Sequence, residues 1–181
     1  MAMQIVGIVS ALGIRGDYQR AETTLTLREG LAEYYRVNPG LSDPARIDDE
    51  ATATYFRNHD CTHVVFGTHT GPLDEGVNDL LTMFGVDIRV LDYVKGFFSS
   101  DVAKSITKTY FNRSLPTLLW RTLRLTPRVW RTTRAMRRKW PWTPPPELMD
   151  RPLQEIRREY GIELLRPEVA LGLVDEATAT P

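Results

Sequence analysis

The sequence predicts an all-α protein: one helical domain over residues 1–166 and a loose tail over 167–181. Three observations predict it. Apolar residues recur every three or four positions along much of the chain. Helix punctuation accompanies them, with prolines at first turns and glycines at ends. There is no alternation of strand and helix patterns, so no βαβ unit is expected, and no internal repeat is visible. At 181 residues, with 42% apolar and 25% charged residues, the chain can bury a core and is neither disordered nor collagen-like in composition.

The elements follow in order. Glu22 to Tyr35 carries Leu25, Leu27, Leu31 and Tyr35 close to a helical stripe, stopped by Asn38-Pro39-Gly40. Asp48 to Asn58 reads as a second helix with acids in its first turn, and His59 to Phe66 continues it. Gly67 to Gly71 is the break. Pro72 opens a third helix, with Thr70 as its cap, running to about Met83. Val86 to Phe98 fits either a strand or a helix, and Val102 to Phe111 reads as a helix. Pro116 and Pro127 then punctuate two basic helices, the second capped by Thr126. The proline-rich elbow at 140–147 leads to a last helix, capped by Asp150, begun near Pro152 and stopped by Gly161.

The formal net charge is zero, yet the chain is polarised. Residues 1–100 hold 14 acids and 8 bases, whereas residues 101–181 hold 9 acids and 15 bases. Residues 102–146 contain eleven Lys or Arg, no acid, and all four tryptophans: Trp120, Trp130, Trp140 and Trp142. Basic residues interleaved with tryptophan suit an anionic membrane surface, where Trp settles at headgroup level and Arg meets phosphate. A solvated basic face with core tryptophans is the plainer alternative. Nucleic acid is the weaker rival. No apolar run is long enough to span a bilayer, and the N-terminus reads neither as a signal nor as a transit peptide. The expected location is therefore cytoplasmic and bacterial in type.

The three histidines, His59, His63 and His69, fall within eleven residues. On a helix His59 and His63 stand at i and i+4, on one face and within reach of one ion. Asp60 can turn toward that face or orient a histidine from behind. A turn over residues 67–72 can fold Glu75 back onto the pair. Two imidazoles with one or two carboxylates suit a divalent metal: zinc, iron or manganese. A histidine pair alone is also compatible with ordinary polarity; the neighbouring Asp60 and Glu75 favour the metal. Asp74, beside Glu75, reads as helix N-terminal charge, and Tyr34 and Tyr35 as core. The single cysteine, Cys61, excludes an internal disulfide and reads as a small buried hydrophobe pointing away from the histidine face.

Two motif families bear on this text. The histidines have the spacing of the long zinc-protease motif, but Asp60 stands where that motif needs its glutamate and Phe66 where it needs glycine. The other match is fuller. His59-Asp60-x-x-His63, eleven residues, then Glu75 resembles the H-D-x-x-H-x(11)-E signature of the fourth coenzyme Q (ubiquinone) biosynthesis protein family. Gly67 also stands where that family often has glycine. The basic Trp-rich stretch resembles the family's later segment. Pro152-Leu153, Ile156-Arg157 and Gly161-Ile162 are similar to its ending, so the likeness spans roughly residues 25–165.

The resemblance implies a helical bundle enclosing a channel for a prenyl lipid, peripheral to a membrane. It implies metal ligation, usually of zinc, by His59, Asp60, His63 and Glu75, with Glu75 and Asp60 also serving catalysis. The expected ligand is a prenylated quinone precursor. The expected activity is a metal-dependent oxidative decarboxylation, in which the ring carboxylate at C1 gives way to hydroxyl. A non-catalytic lipid carrier, or scaffold for other quinone-biosynthesis proteins, is the alternative. Oligomerisation, a homodimer included, leaves no signature in the sequence. His69 falls outside the family pattern and is expected to be a loop histidine.

Overall fold

A computed structural model describes residues 16–39, 41, 44, 47–99 and 115–173. It is mainly helical, as the sequence predicts, and no strand occurs among the described residues. After a 3₁₀ turn at Asp17–Gln19 come α1 (Leu27–Val37), α2 (Glu50–Phe66), α3 (Pro72–Gly85) and α4 (Val90–Ser99). They are followed by α5 (Leu115–Ala135), α6 (Pro146–Met149), α7 (Leu153–Tyr160) and α8 (Pro167–Ala170). No described helix is long and apolar enough to cross a membrane.

Local chemistry accounts for the boundaries. Thr26 and Glu29 form a reciprocal capping box at the start of α1, satisfying two backbone N–H groups that the first turn leaves open. The Asp49 side chain accepts from the Thr52 N–H at the start of α2, a cap that holds its carboxyl below the ordinary value. α2 ends at Gly67, whose φ of 69° places it in the left-handed region. α7 ends likewise at Gly161, with φ of 70°.

The core gathers Leu27, Leu31 and Tyr34 of α1, Val64, Val65 and Phe66 of α2, and Val77 and Leu81 of α3. Leu125 and Val129 of α5 and Leu153 and Ile156 of α7 complete it. α3 packs most extensively on α5. At Gly30 a Cβ would come within 2.8 Å of both Leu153 and Val64 side-chain carbons, so glycine lets α1 sit close on α2 and α7. Short backbone pairings join distant segments: Leu27 N–H donates to Arg151 O and Leu153 N–H to Leu25 O, while Trp140 and residues 85–87 exchange two bonds.

Arg157 ties three segments together. Its guanidinium is buried and donates to the carbonyls of Val65 (2.9 Å), Val64 (2.8 Å), Arg20 (2.7 Å) and Tyr18 (2.5 Å). Two of these are last-turn carbonyls of α2, where a cation suits the helix dipole. Burial lowers its pKa to about 10, which still leaves it charged at neutral pH.

Several boundaries differ from the sequence-based expectation. Pro127 does not divide α5; a single helix runs through it. Proline removes one helical hydrogen bond, but Leu125 and Val129 on either side are buried against the core and keep the helix continuous. Gly71, not Thr70, precedes α3, and the Thr70 hydroxyl donates to Asn38 instead. Asp150 ends α6 and pairs with Arg28 rather than capping α7. Val86 makes an isolated bridge to Trp140, and a helix follows from Val90. Where a loose tail is expected from Pro167, α8 forms and Glu168 is buried. The helix expected over 102–111 lies outside the described residues, as do the N-terminal segment before Gly16 and the tail from residue 174.

Candidate metal centre

α2 and α3 are consecutive helices reversed by the turn at Gly67–Gly71. Each carries ligand-type residues one turn apart: His59 and His63 on α2, Glu75 and Asp79 on α3. The two helices meet in rungs. His63 Nε2 lies 3.4 Å from Glu75 Oε2, and His59 Nε2 lies 3.8 Å from Asp79 Oδ1. One ligand-type atom from each of His59, His63 and Glu75 converges within 4.8 Å of the others. The structure thus brings together three of the four residues that the motif singles out.

Asp60 stands apart from that trio. Its Oδ1 is 3.9 Å from Nδ1 of His59, and its Oδ2 accepts from the Tyr35 hydroxyl at 2.8 Å. Adjacent positions on a helix do not face the same way, so Asp60 meets the other edge of the His59 ring.

The tautomer of His63 follows from its neighbours. The Thr62 hydroxyl donates to the His59 carbonyl at 2.6 Å, an atom that can only accept. Thr62 Oγ1 therefore accepts from Asn78 Nδ2 at 2.9 Å, which fixes the amide and turns Asn78 Oδ1 toward Thr68. The Thr68 hydroxyl spends its one proton on that oxygen at 3.1 Å. Its 2.9 Å contact with His63 Nδ1 then requires the proton to sit on Nδ1. In the neutral ring this leaves the lone pair on Nε2, an atom of a side chain with no exposed surface and with no hydrogen-bond partner among the described residues.

A neutral Nε2 facing a carboxylate oxygen calls for a cation between them, a proton or a metal ion. The 3.4 Å separation matches the edge of a tetrahedron, about 3.3–3.4 Å, built on zinc–ligand bonds of about 2.0–2.1 Å. The residues present therefore fit a divalent metal, with His63 in the tautomer that ligation needs.

Aromatic rings pack around the pair. Tyr34 stacks on His63 at 5.4 Å between centroids, and Tyr55 and Tyr93 stack on His59 at 6.5 and 6.3 Å. Burial lowers the His59 pKa, but Asp60 and Asp79 outweigh it and bring it up to about 10. Burial raises Glu75, yet His63 and His59 more than offset it, so its carboxyl lies below the ordinary value. The side chains of Glu75 and Asp79 are 32% and 47% exposed, against 14% for His59, so the site opens on the α3 side.

His69 belongs to a second cluster that the sequence did not reveal. Its Nε2 lies 3.3 Å from Asp74 Oδ2 and 3.7 Å from Glu168 Oε1, all three residues being buried. Here the tautomer is reversed. His69 Nδ1 accepts from the Gly71 N–H at 2.8 Å, so the proton of the neutral ring sits on Nε2, facing the carboxylates. Burial and the neighbouring Glu168 raise the Asp74 carboxyl well above its ordinary value. This cluster fastens α8 to the start of α3, beside Glu75. Its signal is long-range, since Glu168 lies in the stretch expected to be a tail.

Three features of the main site also escaped the sequence: Asp79, the Thr68–Asn78–Thr62 relay, and the aromatic rings of Tyr55 and Tyr93. A retrievable signal existed for Asp79, because Glu75-x-x-x-Asp79 repeats the i, i+4 spacing of the histidines. No protein-family model, curated protein or solved structure matches this sequence.

Proposed function

We propose that this chain binds one divalent metal through His59, His63 and Glu75, and uses it to receive the anionic head of a prenylated quinone precursor at a membrane surface. The observation that carries the metal reading is the buried Nε2 of His63, without a hydrogen-bond partner among the described residues and 3.4 Å from Glu75, on a ring whose Nδ1 carries a proton. The substrate reading rests on the resemblance of His59-Asp60-x-x-His63-x(11)-Glu75 to the ubiquinone-biosynthesis signature. The exposed basic and apolar face of α5 supports the membrane reading.

When bound, the metal supplies Lewis-acid stabilisation of negative charge on a substrate oxygen, as loss of the ring carboxylate requires. The chain's own residues hold and orient. Thr68 fixes the His63 tautomer, Asp60 holds the Nδ1 edge of His59, and Tyr34 and Tyr55 keep the imidazole rings from turning. The exposed edge at Glu75 and Asp79 is where a head group enters. Replacing a carboxylate by hydroxyl also needs an oxidant, and dioxygen is the one this reading names.

Elemental analysis of untagged protein tests the site. We expect about one metal per chain in the wild type and loss of that metal in His63→Ala. Only one ion is expected, because His69 presents a proton rather than a lone pair. Metal-free protein after reconstitution would sink the reading. Product formation from a prenylated hydroxybenzoate, lost in Glu75→Ala, separates the enzyme from a lipid carrier that binds without turnover.

A further inference from the structure

The resemblance assigns the second carboxylate of the metal centre to Asp60. We propose instead that Asp79 is the carboxylate that joins His59, His63 and Glu75 at the metal, and that Asp60 is a positioning residue behind the His59 ring. The proposal rests on the metal reading above and specifies the ligand set of that same site.

The argument is one of faces. His59 and His63 are four residues apart on α2, and Glu75 and Asp79 are four residues apart on α3, so each pair lies along one face of its helix. The pairs match rung for rung, His63 with Glu75 at 3.4 Å and His59 with Asp79 at 3.8 Å. The His59 and His63 rings stand edge to face, 4.8 Å between centroids; Asp79 lies beside this pair but outside the His59–His63–Glu75 trio, so it must swing inward to share an ion with them.

Asp60 and Asp79 meet opposite nitrogens of the same ring: Asp60 lies at Nδ1 and Asp79 at Nε2. A neutral imidazole offers one lone pair and one N–H. The nitrogen that faces Asp79 of α3 is Nε2. The proton then belongs on Nδ1, beside Asp60. A carboxylate on that side can fix the tautomer and ring orientation, as in carboxylate–histidine–metal sites, once Asp60 closes from 3.9 Å to hydrogen-bonding distance.

The surroundings of the two carboxylates agree. The Asp60 side chain is 8% exposed and is held by the Tyr35 hydroxyl from α1, away from the open side. The Asp79 side chain is 47% exposed, on the open side, with room to swing toward the metal. The Tyr93 hydroxyl donates to Asp79 Oδ1 at 2.5 Å and aims the carboxylate beside His59. Tyr93 itself stacks on His59, so one residue of α4 orders both.

The full chain, stripped of metal and loaded with Co²⁺, tests this. The visible absorption of protein-bound Co²⁺ reports its ligand number and geometry, and titration gives its affinity. In Asp79→Ala we expect an altered band and an affinity loss larger than that of Asp60→Asn. In Asp60→Asn we expect the wild-type band, with affinity lower by about 10- to 100-fold, the usual effect of an outer-shell change. The Asp79 side chain is 47% exposed, so its loss should spare the core, and circular dichroism checks that both variants fold. A wild-type band and affinity in Asp79→Ala would overturn the proposal, as would an altered band confined to Asp60→Asn. Wild-type protein that takes up no Co²⁺ would instead overturn the metal reading itself.

Discussion

His59 shows how much a single residue's chemistry depends on neighbours from other elements. Burial alone would keep its imidazole neutral, but Asp60 on one edge and Asp79 on the other raise its pKa to about 10. At neutral pH the ring is therefore protonated, and a metal bound there would have to displace that proton. The sign follows directly. Apparent metal affinity rises with pH up to about 10, by about tenfold per pH unit for one displaced proton. Competition of Zn²⁺ against a chromophoric chelator at pH 6.5 and 8.0, corrected for the chelator's own protonation, measures this slope. A flat profile would mean that His59 is already neutral, or that it is not a ligand. At this scale the sequence was informative where geometry is local. His59, His63 and Glu75 converge because an i, i+4 pair and a short turn dictate it. Asp79 was legible only through its i, i+4 spacing from Glu75, which puts it on the same face of α3 and so opposite His59. His69 lies in the loop where it is expected, but its burial was not legible, because its partner Glu168 comes from the far end of the chain. Cys61 needed no partner to be read. It is 1% exposed, and burial, with Asp60 beside it, pushes its thiol up to about 12, as expected of an inert core residue.

Among the elements, α2 is the one the site depends on, and Arg157 of α7 holds its C-terminal end. The guanidinium satisfies carbonyls of Val64 and Val65 and reaches Tyr18 and Arg20 beyond them. Arg157→Met keeps the stem but leaves buried acceptors unpaired. Charge-assisted bonds contribute about 1.5–3 kcal/mol each and are not additive, so a loss of about 3 kcal/mol or more is expected. Urea unfolding measures it, and a loss under about 0.5 kcal/mol would show that water replaces the guanidinium freely. Arg157→Lys should recover part of the stability, having charge but no fork. The sequence marks Arg157 only through its place in the family-like ending; nothing local says that it is buried. α5 carries the opposite lesson. Pro127 is a sound local reason to expect a break, and the helix continues because Leu125 and Val129 are fixed against the core. Tertiary packing outweighs a propensity cost of about 3 kcal/mol here. α8 likewise forms where composition suggests a tail, since its Glu168 is drawn into the buried cluster with His69 and Asp74.

For the whole molecule the question is what the basic, tryptophan-rich half faces. The tryptophans divide into two pairs. Trp140 is fully buried against Tyr160, and Trp142 packs on Tyr55 and Tyr93 near the metal centre. Trp120 and Trp130 are 64% and 50% exposed on α5, in company with exposed Leu119 and Leu123. Around them Arg121, Arg124, Arg128, Arg131 and Arg134 are exposed, and Arg134 lies over the Trp130 ring. The opposite face of α5, with Thr122, Leu125, Val129 and Thr133 at helical spacing, is buried toward α3. α5 thus connects the core under the site with a surface suited to anionic lipid, where each basic side chain near the headgroups adds about 1 kcal/mol. Sedimentation with vesicles tests the match. Vesicles containing phosphatidylserine should carry the protein down, and neutral phosphatidylcholine vesicles should not. Raising salt from 0.1 M to 1 M shortens the screening length from about 10 Å to about 3 Å and should release most of it. Trp120→Ala with Trp130→Ala should weaken binding at low salt while leaving the fold intact, because neither ring is in the core. Equal binding to neutral vesicles would make the arginines incidental. Unchanged binding in the double variant would assign the attraction to charge alone and remove the apolar insertion that a membrane-held prenyl substrate requires.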